Sequence, residues 1–102
     1  MRWRCIRRTS AGRDALRWSN YMDHALEQVR EADIYIASHN WPEWGNANIK
    51  TLITMHRDVY KYTHDQTVRL INAGYTIKEI PDMVKLPKSL SEYFGARGYY
   101  GD

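Results

Sequence analysis

The stretch that decides the fold is residues 47–73, ANIKTLITMHRDVYKYTHDQTVRLINA, where apolar side chains recur at spacings of three and four. This period is typical of a helix that buries one face. Asn46 precedes the stretch as a candidate N-cap, and Gly74 follows it as a helix stop. The pattern predicts one helix of roughly 40 Å. Its stripe comprises Ile49, Leu52, Ile53, Val59, Tyr60, Thr63, Thr67, Leu70 and Ile71.

A helix of this length exceeds what a small domain is expected to cover. The chain has 102 residues, enough for a single modest core. We therefore expect the stripe to pack against a second copy of the chain, or against a domain outside this sequence. The side chains expected at this contact are Leu52, Ile53, Val59, Tyr60 and Leu70.

The region before the long helix is predicted to contain one helix, one strand and one loop. Residues 13–31 repeat the spacing of three and four, which indicates an amphipathic helix. Residues 34–37 are short and rich in β-branched side chains, as in a strand. Residues 38–46 contain Pro42 and Gly45 and are predicted to be a loop. Because a lone strand has no pairing partner, this region also indicates a fragment or an oligomer.

Two short helices are predicted after the long one. The first begins near Thr76, with Glu79 placed to complete a capping box and Pro81 in the first turn. The second covers residues 87–95. Together they outline a helical corner similar to a helix-turn-helix, so a small nucleic-acid-binding protein is one alternative. Few side chains suited to reading bases occur at the start of the second helix: Lys88, Ser89, Ser91 and Glu92.

The positive charge is concentrated at one end of the chain. The net charge is +3, and the first eight residues contain Arg2, Arg4, Arg7 and Arg8. Without this irregular arm, residues 1–12, the chain is slightly acidic and has no basic footprint for nucleic acid.

Localisation is predicted only by default. The arm lacks the apolar segment of a secretory signal, and no apolar run approaches the length of a membrane span. We therefore expect a cytoplasmic protein. The single cysteine, Cys5, has no partner for an internal disulfide.

One histidine has the setting of a functional residue. His39 follows the predicted strand and opens a loop in which Trp41 and Trp44 can form walls, with Asn46 at its end. The other histidines occur without an HxH, HExxH or CxxC pattern, so the sequence contains no complete metal site.

Six motifs in order resemble zinc-dependent alkyl sulfatases of the metallo-β-lactamase superfamily, and together they cover roughly residues 13–102. The matching segments are RDALRWS (13–19), SHNWPEWGN (38–46), RDVYKYTHDQTVRL (57–70), NAGYT (72–76), LPKSL (86–90) and RGYYG (97–101).

The resemblance implies a domain division and a site. Residues 13–46 match the end of the catalytic domain, and residues 47–102 match a helical dimerisation region. His39 matches the last zinc-binding histidine of the family, whereas Asn40 replaces a usual histidine and Pro81 a usual alanine. The fold is therefore expected to be mainly α, with one short strand, a long central helix and a helical corner.

The resemblance also implies what the chain does not contain. The family's HxHxDH zinc cluster is not in this sequence. We therefore expect that zinc is not tightly bound by this chain alone and that the chain is a dimerisation module inactive by itself. The alternative is one half of a split alkyl sulfatase, which would act on alkyl sulfates once a catalytic-domain chain completes it.

Overall fold

A computed structural model describes residues 14–36 and 42–92. These residues form four helices and a two-stranded sheet. In chain order the elements are α1 (Ala15–Gln28), β1 (Ile34–Tyr35), β2 (Glu43–Trp44), α2 (Asn46–Asn72), α3 (Ile80–Met83) and α4 (Lys88–Ser91). The predicted mainly helical fold with a long central helix is confirmed.

Helix α1 begins where Asp14 caps it. The Asp14 carboxylate accepts hydrogen bonds from the backbone N–H groups of Leu16 at 3.0 Å and Arg17 at 3.2 Å, which satisfies donors that the first turn leaves unpaired. The buried Ser19 hydroxyl donates to the Leu16 carbonyl at 2.7 Å. A buried polar group therefore costs little here, and α1 can pack closely along this side.

The prediction of a single strand followed by a loop is wrong. β1 pairs antiparallel with β2, so that Ile34 lies opposite Trp44 and Tyr35 opposite Glu43. The Gly45 N–H extends this pairing by donating to the Asp33 carbonyl at 2.9 Å. Pairing of a two-residue strand is decided by its neighbours, since such a short segment shows no readable alternation.

Asn46 does not cap α2 as predicted. Gly45, at φ 88°, takes the N-cap position, and Asn46 is the first helical residue. The positive φ favours glycine and turns the chain from β2 into the helix. The freed Asn46 carboxamide donates to the carbonyls of Val29 at 2.8 Å and Ala32 at 3.0 Å. It therefore joins the start of α2 to the end of α1.

Much of the apolar stripe of α2 is covered within the chain, although Ile71 stays exposed. α1 packs along α2, and the edge of the Trp18 ring meets Tyr60 with 5.3 Å between ring centroids. Two antiparallel helices, connected by residues 29–45, bury part of each other's apolar faces, and the expectation that a partner packs on the helix stays a prediction. The buried α2 side chains are Ile49, Ile53, Val59, Thr63 and Leu70, while Leu52 and Tyr60 are half-buried.

Gly74 stops α2 as predicted. Its N–H donates to the Ile71 carbonyl and the Tyr75 N–H donates to the Leu70 carbonyl, the pattern of a Schellman motif, with Gly74 at φ 94°. The glycine is required here because a side chain strains this left-handed conformation.

The helical corner is smaller than predicted. The contact predicted for a capping box is present, because the Glu79 carboxylate accepts from the Thr76 N–H and from its hydroxyl, each at 2.8 Å. These bonds hold the pKa of Glu79 below its usual value, the backbone N–H having the larger effect. Helix α3 begins only at Ile80, with Pro81 in its first turn as predicted.

Two buried side chains attach the corner to α2. Ile80 of α3 and Leu90 of α4 are buried, and both helices contact α2. The Tyr62 hydroxyl of α2 donates to the Lys85 carbonyl at 2.9 Å. The predicted second helix extended to residue 95; α4 ends at Ser91, and residues 93–95 lie outside the described residues.

Candidate functional site

The predicted tryptophan-loop site is only partly within the described structure. His39 and Trp41 lie outside the described residues, so a zinc ligand and a site wall at these positions stay predictions. Trp44 lies on β2 with 60% of its surface exposed. The Asn46 carboxamide donates hydrogen bonds to the carbonyls of Val29 and Ala32 at the end of α1. These two bonds fix the start of α2 relative to α1.

The histidines of the described residues do not form a metal site. Among residues 14–36 and 42–92, no group of three or more His, Cys, Asp or Glu side chains is arranged to hold a metal ion. His64 Nδ1 lies 3.1 Å from Asp65 Oδ1 on the same exposed face of α2. Lys61 also donates to Asp65, at 2.9 Å. Both contacts lower the pKa of the Asp65 carboxyl below its usual value, and the hydrogen bond from Lys61 has the larger effect.

A polar link between α1 and α2 was not found by sequence reasoning. Arg57 of α2 donates to Asp23 of α1 at 3.0 Å and to the neighbouring Asp58, also at 3.0 Å. Both hydrogen bonds raise the pKa of the Arg57 guanidinium above its usual value, and the bond to Asp23 has the larger effect. No local pattern reveals a partner 34 positions away.

An aromatic cluster lies between α1, β1 and α2. The His56 ring stacks on Tyr60 at 6.4 Å between centroids and 17° between planes, and Trp18 meets the same tyrosine edge-on. Burial lowers the pKa of His56. Burial also raises the pKa of the Tyr60 hydroxyl, and the electrostatic effect of Tyr35 raises it slightly further. Burial therefore favours the neutral forms of His56 and Tyr60, and the three rings of the cluster are half-buried.

The sheet carries an exposed apolar surface, which we call the hairpin face: Ile34, Ile36 and Trp44. Ile34 and Trp44 are opposite each other in the register and so point to one side, and Ile36 follows Ile34 by the strand period. Their exposed fractions are 55%, 60% and 76% for Ile34, Trp44 and Ile36 respectively. Both strands contact α2, and the alternate residues Tyr35 and Glu43 are only partly exposed.

A second exposed apolar surface lies at the other end of α2. Val68 and Ile71 are three residues apart on one side of the helix, and Tyr75 and Ile77 follow them in the turn. Ile71 is 56% exposed and Ile77 73%. We call these four residues the C-terminal strip.

The helical corner offers little support for reading nucleic acid. Helices α3 and α4 have four residues each, which is about one turn. A recognition helix must extend several side chains into a groove, which a single turn does not provide.

Comparison with known proteins identifies relatives of one functional class. The chain is 44% identical over 90 residues to a linear primary-alkylsulfatase from Pseudomonas sp., 42% identical over 90 residues to the alkyl/aryl-sulfatase BDS1 of Saccharomyces cerevisiae, and 37% identical over 91 residues to an (R)-specific secondary-alkylsulfatase from Pseudomonas sp.. Each match includes 87% of this chain. No protein-family model matches the chain. The predicted resemblance to a part of alkyl sulfatases is confirmed.

The matches cover a small part of each relative. The chain spans 13% of the primary-alkylsulfatase and 14% of each of the other two. In those proteins a stretch like this one is therefore accompanied by a much longer polypeptide. Within the described residues, no helix is both long and apolar enough to cross a membrane.

Proposed function

We propose that this chain is an assembly module related to part of an alkyl sulfatase: it forms a homodimer through the outer side of α2 and does not hydrolyse alkyl sulfates by itself. The observation that carries the dimer is the C-terminal strip. Val68 and Ile71 remain exposed on α2, whereas Ile49, Ile53, Val59, Thr63 and Leu70 of the same helix are buried. Exposed apolar side chains grouped on one helix are typical of interaction surfaces.

The proposed dimer surface uses one residue of the predicted stripe, Ile71, and otherwise lies beside it. Ile53, Val59 and Leu70 are buried within the chain, so they cannot meet a partner unless the elements packed on them move away. Ile71 follows Leu70 directly and points outward. Full burial of one such side chain contributes about 1.5–3 kcal/mol, so two strips meeting across a two-fold axis could offset the entropy of association.

The proposed inactivity follows from the available ligands. The described residues do not fit a zinc site, since they hold no group of three metal-ligating side chains. By the resemblance, His39 would supply one imidazole. Catalytic zinc sites use three or more protein ligands, so one imidazole binds the ion weakly.

The experiment on assembly is analytical ultracentrifugation of the wild-type chain and of Ile71→Asp. The wild type should sediment as a dimer at micromolar concentration, and Ile71→Asp as a folded monomer, because an unpaired carboxylate would be buried at the interface. Ile34→Asp is the matched control. Ile34 is also an exposed isoleucine, but it lies on β1, near the opposite end of α2. A monomeric wild type, or dissociation by Ile34→Asp only, contradicts the proposed surface.

The experiment on activity is sulfate release from dodecyl sulfate with added zinc. We expect no release by the purified chain. Zinc-dependent release that His39→Ala abolishes would contradict the proposal and indicate a site built from several copies. The His39→Ala control is needed because a contaminating sulfatase would act on the same substrate.

A split alkyl sulfatase is the second candidate, favoured by the small fraction of each relative that the chain spans. In this case a separate chain supplies the catalytic-domain residues. A neighbouring reading frame that encodes an HxHxDH pattern, and whose product co-purifies with this chain and restores sulfate release, would establish it.

A further inference from the structure

The hairpin face lies in an acidic end of the molecule. Residues 23–44 contain five carboxylates and a single basic side chain, Arg30. Asp23 is paired with Arg57, but the other four carboxylates form no salt bridge with any described residue. They are Glu27, Glu31, Asp33 and Glu43. An apolar surface beside negative charge that pairs with no described cation favours a partner that is both apolar and basic.

The C-terminal strip has a different setting. Residues 66–92 contain four basic and three acidic side chains, so this end of the molecule has nearly balanced charge. The two exposed apolar surfaces therefore favour different partners, and only the hairpin face favours a positively charged one.

Residues 1–13 have the required chemistry. This segment contains five arginines and no acidic residue, with Trp3 and Ile6 among the arginines. Since the whole chain has a charge of +3, the remaining residues have +3 minus +5, or −2. The segment thus holds the positive charge that the rest of the molecule lacks. It lies outside the described residues.

The segment is also long enough to reach the hairpin face. It joins the described chain at Asp14, the N-cap of α1, and the opposite end of α1 leads into β1. Helix α1 has 14 residues and is therefore about 21 Å long. Thirteen residues in an extended conformation span about 40 Å.

We propose that residues 1–13 dock on the hairpin face of their own chain, with the arginines paired to the acidic residues around it and Trp3 or Ile6 against Ile34 and Trp44. A second copy of the hairpin face is the poorer occupant, because two acidic ends brought together repel each other. This inference is independent of the proposed dimer, which uses the opposite end of α2.

The experiment uses Cys5, the only cysteine of the chain, as the attachment point for a nitroxide spin label. NMR spectra of the 15N-labelled, full-length chain are compared before and after reduction of the nitroxide. We expect strong loss of signal for the amides of Ile34 and Ile36 and for the indole N–H of Trp44. The amides of Tyr75 and Ile77 should be unaffected. Salt at 1 M should restore the lost signals, since it screens exposed charge pairs.

Two variants distinguish specific docking from simple proximity. Replacing Arg2, Arg4, Arg7 and Arg8 with serine should abolish the loss of signal at Trp44. Replacing four exposed cations of the other end, Arg69, Lys78, Lys85 and Lys88, with serine should leave it unchanged.

Three results would overturn the proposal. They are no loss of signal at the hairpin face, an equal loss at Tyr75 and Ile77, and a loss that persists after the four N-terminal arginines are replaced. A mixture of spin-labelled 14N chain and unlabelled 15N chain tests docking between copies. Loss of signal at Trp44 in that mixture would assign the contact to a second copy and overturn docking within one chain.

Discussion

Helices α1 and α2 pack along each other, whereas residues 73–92 are attached to α2 mainly by Ile80 and Leu90. The first region is stabilised by burial of apolar and aromatic side chains along α2. The second is shaped by local hydrogen bonds, including the Gly74 stop and the Thr76–Glu79 turn. A region with few buried contacts can have a well-defined conformation and still open at low cost in free energy. We therefore expect both regions to have a defined conformation, but residues 73–92 to open at a lower cost in free energy than the α1–α2 pair.

The largest expected effect comes from the α1–α2 interface. Ile53→Ala removes a side chain that is 2% exposed and leaves a cavity between the helices. We expect the free energy of unfolding to fall by about 2–5 kcal/mol. Urea denaturation followed by far-UV circular dichroism measures this loss.

Leu90→Ala is the matched comparison in the corner. It also shortens a buried side chain, but its region opens without separating α1 from α2. We expect a loss below about 2 kcal/mol in global stability, with faster amide exchange confined to residues 76–92. Equal losses of global stability for Ile53→Ala and Leu90→Ala would show that the two regions unfold as one unit.

A smaller effect is expected from His56. Burial lowers its pKa in the folded chain, so the unfolded chain binds a proton first as the pH falls below the ordinary value of about 6.5. Stability from this group is therefore fully present above that pH and is lost as the pH falls toward the folded-state pKa. Urea denaturation at several values between about pH 8 and pH 5 measures the loss.

The control for the pH prediction is a second histidine. His56→Gln should flatten the dependence on pH, whereas substitution of the exposed His24 by glutamine should retain it. A dependence that survives His56→Gln unchanged would assign it to other groups.

The smallest expected effect is at the link between α2 and the corner. Tyr62→Phe removes the hydroxyl that donates to the Lys85 carbonyl. Because this bond is exposed to water, we expect a cost of about 1 kcal/mol or less, seen as faster amide exchange in residues 80–90. Tyr21→Phe, at an exposed position on α1, should change nothing. Equal exchange in both variants would mean that the hydroxyl does not anchor the corner.

The sequence predicted the elements whose signals are local. The period of three and four identified α1 and α2, because a helix with one buried face repeats it over many residues. Gly74 marked the end of α2, since few other residues adopt the left-handed conformation found there. Pro81 was correctly placed in a first turn. The similarity of long motifs to alkyl sulfatases also needed no structure.

Tertiary structure decided the contacts between segments that are distant along the chain. The bond from Asn46 to the end of α1 and the ion pair of Arg57 with Asp23 depend on where α1 lies, and the pairing of β1 with β2 is made beside α2. The packing of the chain also determined which apolar residues of α2 are buried and which are exposed: Ile53 is buried and Ile71 is exposed. A periodic pattern shows that a helix has an apolar side, but the element that covers that side is selected by the packing of the whole chain.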